Sequence, residues 1–317
     1  MKQTKQEPAP SLPIPSTAPF LSMSRVALAR IPSFVLVSTA ILLALIYLPK
    51  SSFSPRTAYG PILHEETSDF SKIRVRGTEG KRHLLFVSDA GKEQLQSTIH
   101  LEDPGTLQVA YTRALFASLL FHHPQERVLV VGLGGGGMIR FLDQHFPATL
   151  VEAVEIDPVV VRLADTYFET RENEQVTIHT ADAFDFLRTD CGPYDAIYMD
   201  AFLRPSIDGT EGSETARLKT VAFLETIRER LTPEGILACN LISYRKTTPE
   251  DIEALAEVFP TVVSFSVPGT GNLVVIASRE TPRPPKQVLR ERARQLDQSL
   301  DVGLSFAEFA EQVREED

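Results

Sequence analysis

Between residues 127 and 260 the chain alternates two kinds of apolar pattern. Short solid runs, Arg127-Val-Leu-Val-Val131, Leu150-Val-Glu-Ala-Val-Glu155, Val176-Thr-Ile-His179, Tyr194-Asp-Ala-Ile-Tyr-Met199 and Gly235-Ile-Leu-Ala-Cys-Asn240, read as strands buried on both faces. The stretches between them carry apolar residues at helical spacing and predict helices over 137–146, 158–168, 183–188, 218–231 and 249–259. Such alternation predicts a parallel sheet with right-handed crossovers. The rhythm then breaks. Thr261-Val-Val-Ser-Phe-Ser-Val267 and Asn272-Leu-Val-Val-Ile-Ala277 are joined only by Pro268-Gly-Thr-Gly271, too short for a crossover helix, so these two strands must run antiparallel.

Upstream, Ile73-Arg-Val-Arg76 and His83-Leu-Leu-Phe-Val87 flank Gly77-Thr-Glu-Gly80 and predict a hairpin. Asp103-Pro104 opens a stretch with Leu107, Tyr111, Leu115 and Leu119 at helical spacing, predicting a helix to about His122. Five parallel strands closed by an antiparallel hairpin is the plan of a seven-stranded, Rossmann-like class I methyltransferase sheet. The expected division is a small β-domain over 61–102, the α/β sheet domain over 103–280, and a helical tail over 281–317, solvated or docked, beyond the Pro-rich joint Thr281-Pro-Arg-Pro-Pro285.

The first 60 residues differ in texture. Pro and Ser are frequent, Glu7 is the sole acid, and Ile31 to Leu48 is apolar on every face without a charge. A disordered tail over 1–30 and a single membrane-anchoring helix over 31–48 are the expectation. A cleaved signal peptide and a basic organelle-targeting leader are rivals, although no A-x-A-like site follows Leu48. Arg25 and Arg30 on one side are matched by Lys50 and Arg56 on the other, so charge does not set the orientation.

The formal net charge of -10 argues against a nucleic-acid partner, which would need a basic footprint. Cys191 and Cys239 have no second ligand at metal-site spacing, so neither a disulfide framework nor a metal is expected.

The strongest motif is Val128-Leu-Val-Val-Gly-Leu-Gly-Gly-Gly-Gly137, a strand running into glycines and then a helix. Gly132, Gly134, Gly135 and Gly136 let the backbone turn tightly against a ligand, and the helix start offers unpaired N–H groups. Glu155 ends the second strand roughly twenty residues on, where a carboxylate accepts both hydrogen bonds of a ribose diol; Asp157 lies in the same Val154-Glu-Ile-Asp157 segment. Asp182, with Ala183, follows the third strand, placed to meet an adenine amine and ring nitrogen or to cap the next helix. A dinucleotide and an S-adenosyl ligand both use such a site. The terminal hairpin, where a dinucleotide fold would have a second βαβαβ half, selects the S-adenosyl class.

On these residues the chain resembles the spermidine synthase (polyamine aminopropyltransferase) superfamily over about residues 61–278. Glu65-Glu-Thr-Ser-Asp-Phe-Ser-Lys-Ile-Arg-Val75 is similar to the family's β-domain opening, Val154-Glu-Ile-Asp-Pro158 to its ribose-binding strand end, Asp182-Ala-Phe-Asp-Phe-Leu187 to its adenine segment and Tyr194-Asp-Ala-Ile-Tyr-Met-Asp200 to the strand with its catalytic acid. Gln96-Ser97, Leu101-Glu-Asp-Pro104 and Tyr111-Thr-Arg113 resemble a spermidine synthase-like branch often attached to membrane segments. The resemblance implies decarboxylated S-adenosylmethionine or S-adenosylmethionine as co-substrate, an amine acceptor, and a homodimer paired through the β-domain. It implies Asp200 as the base, Tyr111 and Tyr198 as orienting hydroxyls, and Gln96 with Asp200 as acceptor contacts. A donor made in the cytosol places the catalytic domain on the cytoplasmic side or inside an organelle.

Three departures bear on the chemistry. The family's glycine loop carries an aspartate for the donor's aminopropyl nitrogen, and Gly135 stands there. The gate segment reads Asp200-Ala-Phe-Leu203 without a second aspartate, leaving Asp208, Glu211 and Glu214 as substitutes on a Leu203–Thr215 loop that reads as a lid. Thr112-Arg113 follows the helix tyrosine, and an arginine beside a dicationic amine would repel it. Methyl transfer from intact S-adenosylmethionine and a non-catalytic nucleotide-binding scaffold are the alternatives to aminopropyl transfer.

Overall fold

The computed structural model describes residues 58–201, 220–280 and 282–313. Four strands, β1 (Ile62–Thr67), β2 (Lys72–Thr78), β3 (Lys81–Val87) and β4 (Glu93–His100), form an antiparallel sheet in chain order. The predicted hairpin is β2–β3, with Thr78 paired to Lys81 across its turn. β1 and β4 are additions the pattern did not announce. One face of this sheet is apolar: Ile73, Val75, Leu84 and Ile99 are almost fully buried against Val160, Leu163 and Phe168 of α3 (Pro158–Phe168). Burial of that kind stabilises by roughly 1.5–3 kcal/mol per large side chain, so α3 is the seat on which the small sheet sits. Arg162 of α3 adds an ion pair to Glu66 of β1 at 2.6 Å.

Chain order then runs α1 (Ala110–Leu115), a 3₁₀ turn (Phe116–Leu120), β5 (Arg127–Val131), α2 (Gly137–His145), β6 (Leu150–Glu155), α3, β7 (Val176–Thr180), α4 (Ala183–Phe186) and β8 (Tyr194–Met199). After the undescribed residues come α5 (Val221–Glu229), β9 (Leu231–Ile242), α6 (Thr248–Val258), β10 (Thr261–Ser266), β11 (Asn272–Ser278), α7 (Lys286–Ser299) and α8 (Phe306–Gln312). The seven-stranded sheet has the order β10-β11-β9-β8-β5-β6-β7. β11 inserts antiparallel between β9 and β10, while β5, β6, β7, β8 and β9 pair in parallel. This is the Rossmann-like class I methyltransferase sheet.

Period-2 alternation sorts the strands onto two cores. Val128 and Val130 of β5 join the layer of α1, α2, α7 and α8, whereas Leu129 and Val131 join the layer of α5 and α6. The tail is therefore docked: Leu289, Ala293, Leu296 and Phe306 are buried in the first core. The helix expected over 103–122 is confined to residues 110–120 and tightens to 3₁₀ after Leu115, because residues 101–109 cross the sheet's carboxyl edge as turns. In-register pairing sets Val131 beside Val154 and Met199, so the residues after β5, β6 and β8 emerge along one edge.

The membrane-anchored architecture is corrected here. Among the described residues no helix is long and apolar enough to cross a membrane. The segment 31–48 lies outside the described residues, as do Asp208, Glu211, Glu214 and the 203–215 loop. A spanning helix is not part of the described fold, and the membrane partnership and cytoplasmic-side orientation derived from it fall with it.

Candidate active site

The carboxyl edge of the sheet opens into a cavity capped from the small sheet by Phe70, Phe86 and Gln96. Its floor is the glycine turn. Gly132 has φ +93, and a Cβ there would lie 2.6 Å from the Asp200 carbonyl oxygen, so only glycine lets β5 leave the sheet beside the end of β8. α2 begins five residues later and aims its first N–H groups at this edge.

Glu155, at the end of β6, is pinned from both sides: Leu133 N–H donates to Oε2 and Asp157 N–H to Oε1, each at 3.0 Å. Burial raises its pKa, and those N–H groups act in the opposite direction. Glu155 also lines the cavity, where its carboxylate can meet a diol. Asp182 caps α4 by accepting from Phe184 N–H at 2.8 Å, and with Ala183, Ile156 and Phe184 it lines a mostly apolar slot next to Glu155.

Asp200 follows β8 on the opposite wall. Tyr111 O–H donates to its Oδ2 and Asn240 Nδ2 to its Oδ1, both at 3.0 Å. Asn240 is itself held by Asn272, whose Nδ2 donates to its Oδ1 at 2.9 Å. Burial pushes the Asp200 carboxyl up from 3.8 to about 7, with the two hydrogen bonds pulling it down. Burial, and then the Asp200 charge, lift the Tyr111 phenol well above its usual range, so its proton stays on oxygen. The result is a carboxylate poised to take a proton near neutral pH.

The cavity gathers Gly132, Gly134, Glu155, Asp157, Asp182, Ala183, Gln96, Tyr111 and Asp200. Asp157 lines the cavity while its oxygens hold the fold: Oδ1 caps α3 through Val159 N–H at 2.9 Å and Oδ2 accepts from Ser68 O–H at 2.5 Å. Gly135 and Gly136 lie behind the floor and do not line it. Tyr198 is a correction. It sits inside β8, fully buried in the first core, and its hydroxyl bonds Ser118 at 2.7 Å and Gln125 at 2.8 Å. Two residues along a strand span roughly 6.6 Å, so Tyr198 lies a full step below the edge where Asp200 emerges, and its hydroxyl is already bound within the core. Arg113 is exposed and absent from the cavity wall, so the repulsion expected of it does not arise.

Several participants were not foreseen. Asn240 is a buried polar residue near the end of the otherwise apolar stretch Ile236–Ile242 of β9. Ser71 lines the cavity with its Oγ buried and without a hydrogen-bond partner among the described residues. Arg140 of α2, 8% exposed, lies behind the glycine turn and donates to the carbonyls of Gly135, Phe168 and Pro104 and to Thr170 Oγ1. It locks the turn to the end of α3. No cluster able to hold a metal ion occurs among the described residues.

Comparison with known proteins gives the family. Residues 108–268 match the spermine/spermidine synthase domain. The polyamine aminopropyltransferase of Chromobacterium violaceum is 33% identical over 228 residues, covering 71% of this chain and 84% of that one. Among solved structures, a probable spermidine synthase from Corynebacterium glutamicum has a TM-score of 0.61 at 21% identity, covering 81% and 97% of the two chains, which shows the shared fold. Human methyltransferase-like protein 13, solved in complex with SAH, has a TM-score of 0.55 at 25% identity, covering 66% and 96%. The chain is thus a transferase on the class I methyltransferase sheet and belongs to the spermine/spermidine synthase family.

Proposed function

We propose that this protein transfers an aminopropyl group from decarboxylated S-adenosylmethionine to an amine, with Asp200 as the base. The observation that carries the reading is the Asp200 carboxyl, half-buried on the cavity wall, held by Tyr111 and Asn240 and pushed up to about 7 by burial. In the proposed pose Glu155 accepts from the donor's ribose hydroxyls, Asp182 and the Ala183 backbone meet the adenine edge, and Ile156 and Phe184 flank its faces.

The reaction needs little else. An amine lone pair attacks the carbon next to the sulfonium, the C–N bond forms, and the C–S pair returns to sulfur to give neutral methylthioadenosine. The amine's surplus proton passes to Asp200. Tyr111 keeps the carboxylate aimed, Asn240 is the positioning residue behind it, and Gln96 meets the acceptor from the small sheet. The leaving thioether requires no acid. The likeness to the aminopropyltransferase of Chromobacterium violaceum over most of its length supports this choice of group.

A second reading, methyl transfer from intact S-adenosylmethionine, is favoured by one observation: glycine stands at 135, so the donor's tail meets no carboxylate there. Incubating the full chain with either donor and a panel of amines, then weighing the products, decides between them. A three-carbon amine addition with methylthioadenosine supports the first reading; a one-carbon addition overturns it.

A further inference from the structure

Two apolar rows of the large sheet end in asparagine at the edge where the cavity opens. β9 sends Ile236, Ala238 and Asn240 to one face, and β11 sends Asn272, Val274 and Ile276 to the same face. Ile236, Ala238, Val274 and Ile276 are buried in the first core, against which Tyr111 packs. Asn240 pairs with Val274 and Asn272 with Ile242, so the two asparagines are diagonal neighbours. Their amides form a directed chain. Asn272 Nδ2 donates to Asn240 Oδ1 at 2.9 Å, and Asn240 Nδ2 donates to Asp200 Oδ1 at 3.0 Å. A carboxylate only accepts, so Asn240 must turn its nitrogen toward Asp200, which leaves its own oxygen, in a side chain 4% exposed, in need of a donor. Asn272 supplies it. Asn272 is set in turn by the link before β11: its N–H donates to Thr270 Oγ1 at 3.1 Å, and its carbonyl accepts from Val267 N–H at 3.0 Å.

We infer that Asn272 is a positioning residue for the reaction: it fixes the sense of the Asn240 amide and so keeps Asp200 a proton acceptor. The inference rests on the reading of Asp200 as the base. Without Asn272 the Asn240 amide can turn over and present its oxygen, which suits a protonated carboxyl and repels a carboxylate. The Asp200 pKa then rises, because the hydrogen bond from Asn240 is one of the two that pull it down. The other titratable groups about the cavity are Tyr111, which donates to Asp200, and Glu155, Asp157 and Asp182, and substitution at 272 leaves all four in place.

The test follows the Asp200 carboxyl directly, by carbon NMR titration of the full chain carrying isotope-labelled aspartate, with the Asp200 signal assigned by its loss in Asp200→Asn. Asn272→Ala should raise the midpoint by about half a pH unit or more. Asn272→Asp should raise it further, since an ionised carboxylate accepts from Asn240 and adds a like charge. In the Asn240→Leu background, which has no amide to orient, Asn272→Ala should add no further shift. Transfer assays should show the acid limb of kcat moving in step, with roughly threefold less activity at acidic pH for each half unit. A merely structural asparagine would change stability and leave the midpoint where it is. An unmoved midpoint in both single variants, or a shift of the same size in the Asn240→Leu background, overturns the inference. Should Asn240→Leu fail to fold, the two single variants decide the question. Midpoints that shift as expected in a protein that transfers nothing to any amine would bear out the relay and sink the transfer reading instead.

Discussion

Replacing Asp200 with asparagine should make the protein more stable at alkaline pH while removing its activity. The wild-type carboxyl is pushed from 3.8 to about 7, chiefly by burial. A carboxyl whose folded pKa is raised holds its proton more tightly when folded. Its favourable contribution is complete below 3.8, declines as pH rises, and is lost above about 7. At about 1.36 kcal/mol per pH unit across that interval, an ionised Asp200 opposes folding by at most ~4 kcal/mol. Asp200 faces the cavity, and solvent there screens part of this, which brings the figure to ~2 kcal/mol. Asparagine carries no charge at any pH, and its amide can satisfy both neighbours: the oxygen accepts from Asn240 and the nitrogen donates to a rotated Tyr111 hydroxyl. Urea unfolding of both proteins at pH 9 and near pH 4 measures the gap. The variant should be about 2 kcal/mol more stable at pH 9, and the gap should close toward pH 4. A gap of the same size at both pH values, or a variant less stable at pH 9, would falsify the assignment of Asp200 as a base whose pKa is raised by burial.

The other predictions concern its neighbours. Tyr111→Phe removes a hydrogen bond that lowers the Asp200 pKa, so the acid limb of the kcat profile, which should rise through about 7 in the wild type, should shift to higher pH; an unmoved limb contradicts the contact. Glu155→Gln sets an amide N–H₂ against Leu133 N–H or Asp157 N–H and weakens the grip on a diol, so donor binding should fall by about ten- to a hundredfold in calorimetry; wild-type affinity would remove Glu155 from the site. Tyr198→Phe should leave kcat unchanged and cost about 1 kcal/mol in urea unfolding, since Ser118 and Gln125 lose a buried partner; a large fall in kcat at full stability would restore it to the catalytic group.

What the sequence made readable was whatever physics writes locally. The strands of the large sheet are buried on both faces, so β5 and β8 appear as solid apolar runs, and the short Pro268–Gly271 link forced the terminal hairpin. β1 reads Ile-Leu-His-Glu-Glu-Thr and β4 reads Glu-Gln-Leu-Gln-Ser-Thr-Ile-His, too polar for a strand signal. Pairing with β2 and β3 makes them strands, and pairing is not local. The tail was equally opaque: α7 is rich in charge, yet its spaced Leu289, Ala293 and Leu296 find the core. At the site, Glu155, Asp182 and Asp200 were legible because each sits at the end of a strand or within two residues after it, on the sheet's carboxyl edge. Asn240 and Ser71 were less so, since their meaning depends on what faces them. Tyr198 shows the same limit from the other side. Its place two residues before Asp200 suggests a shared role, but its depth in the core and the partners of its hydroxyl, Ser118 and Gln125, come from elements far away in sequence.

The most direct test of Asp200 as the base of an S-adenosyl-dependent amine transfer is a single-turnover measurement. Full-length wild type and Asp200→Asn would be saturated with decarboxylated S-adenosylmethionine, mixed with an amine that the wild type accepts, and quenched over time. The expected result is equal donor binding with transfer slowed in the variant by about a hundredfold or more. Equal transfer rates in the two proteins would contradict it.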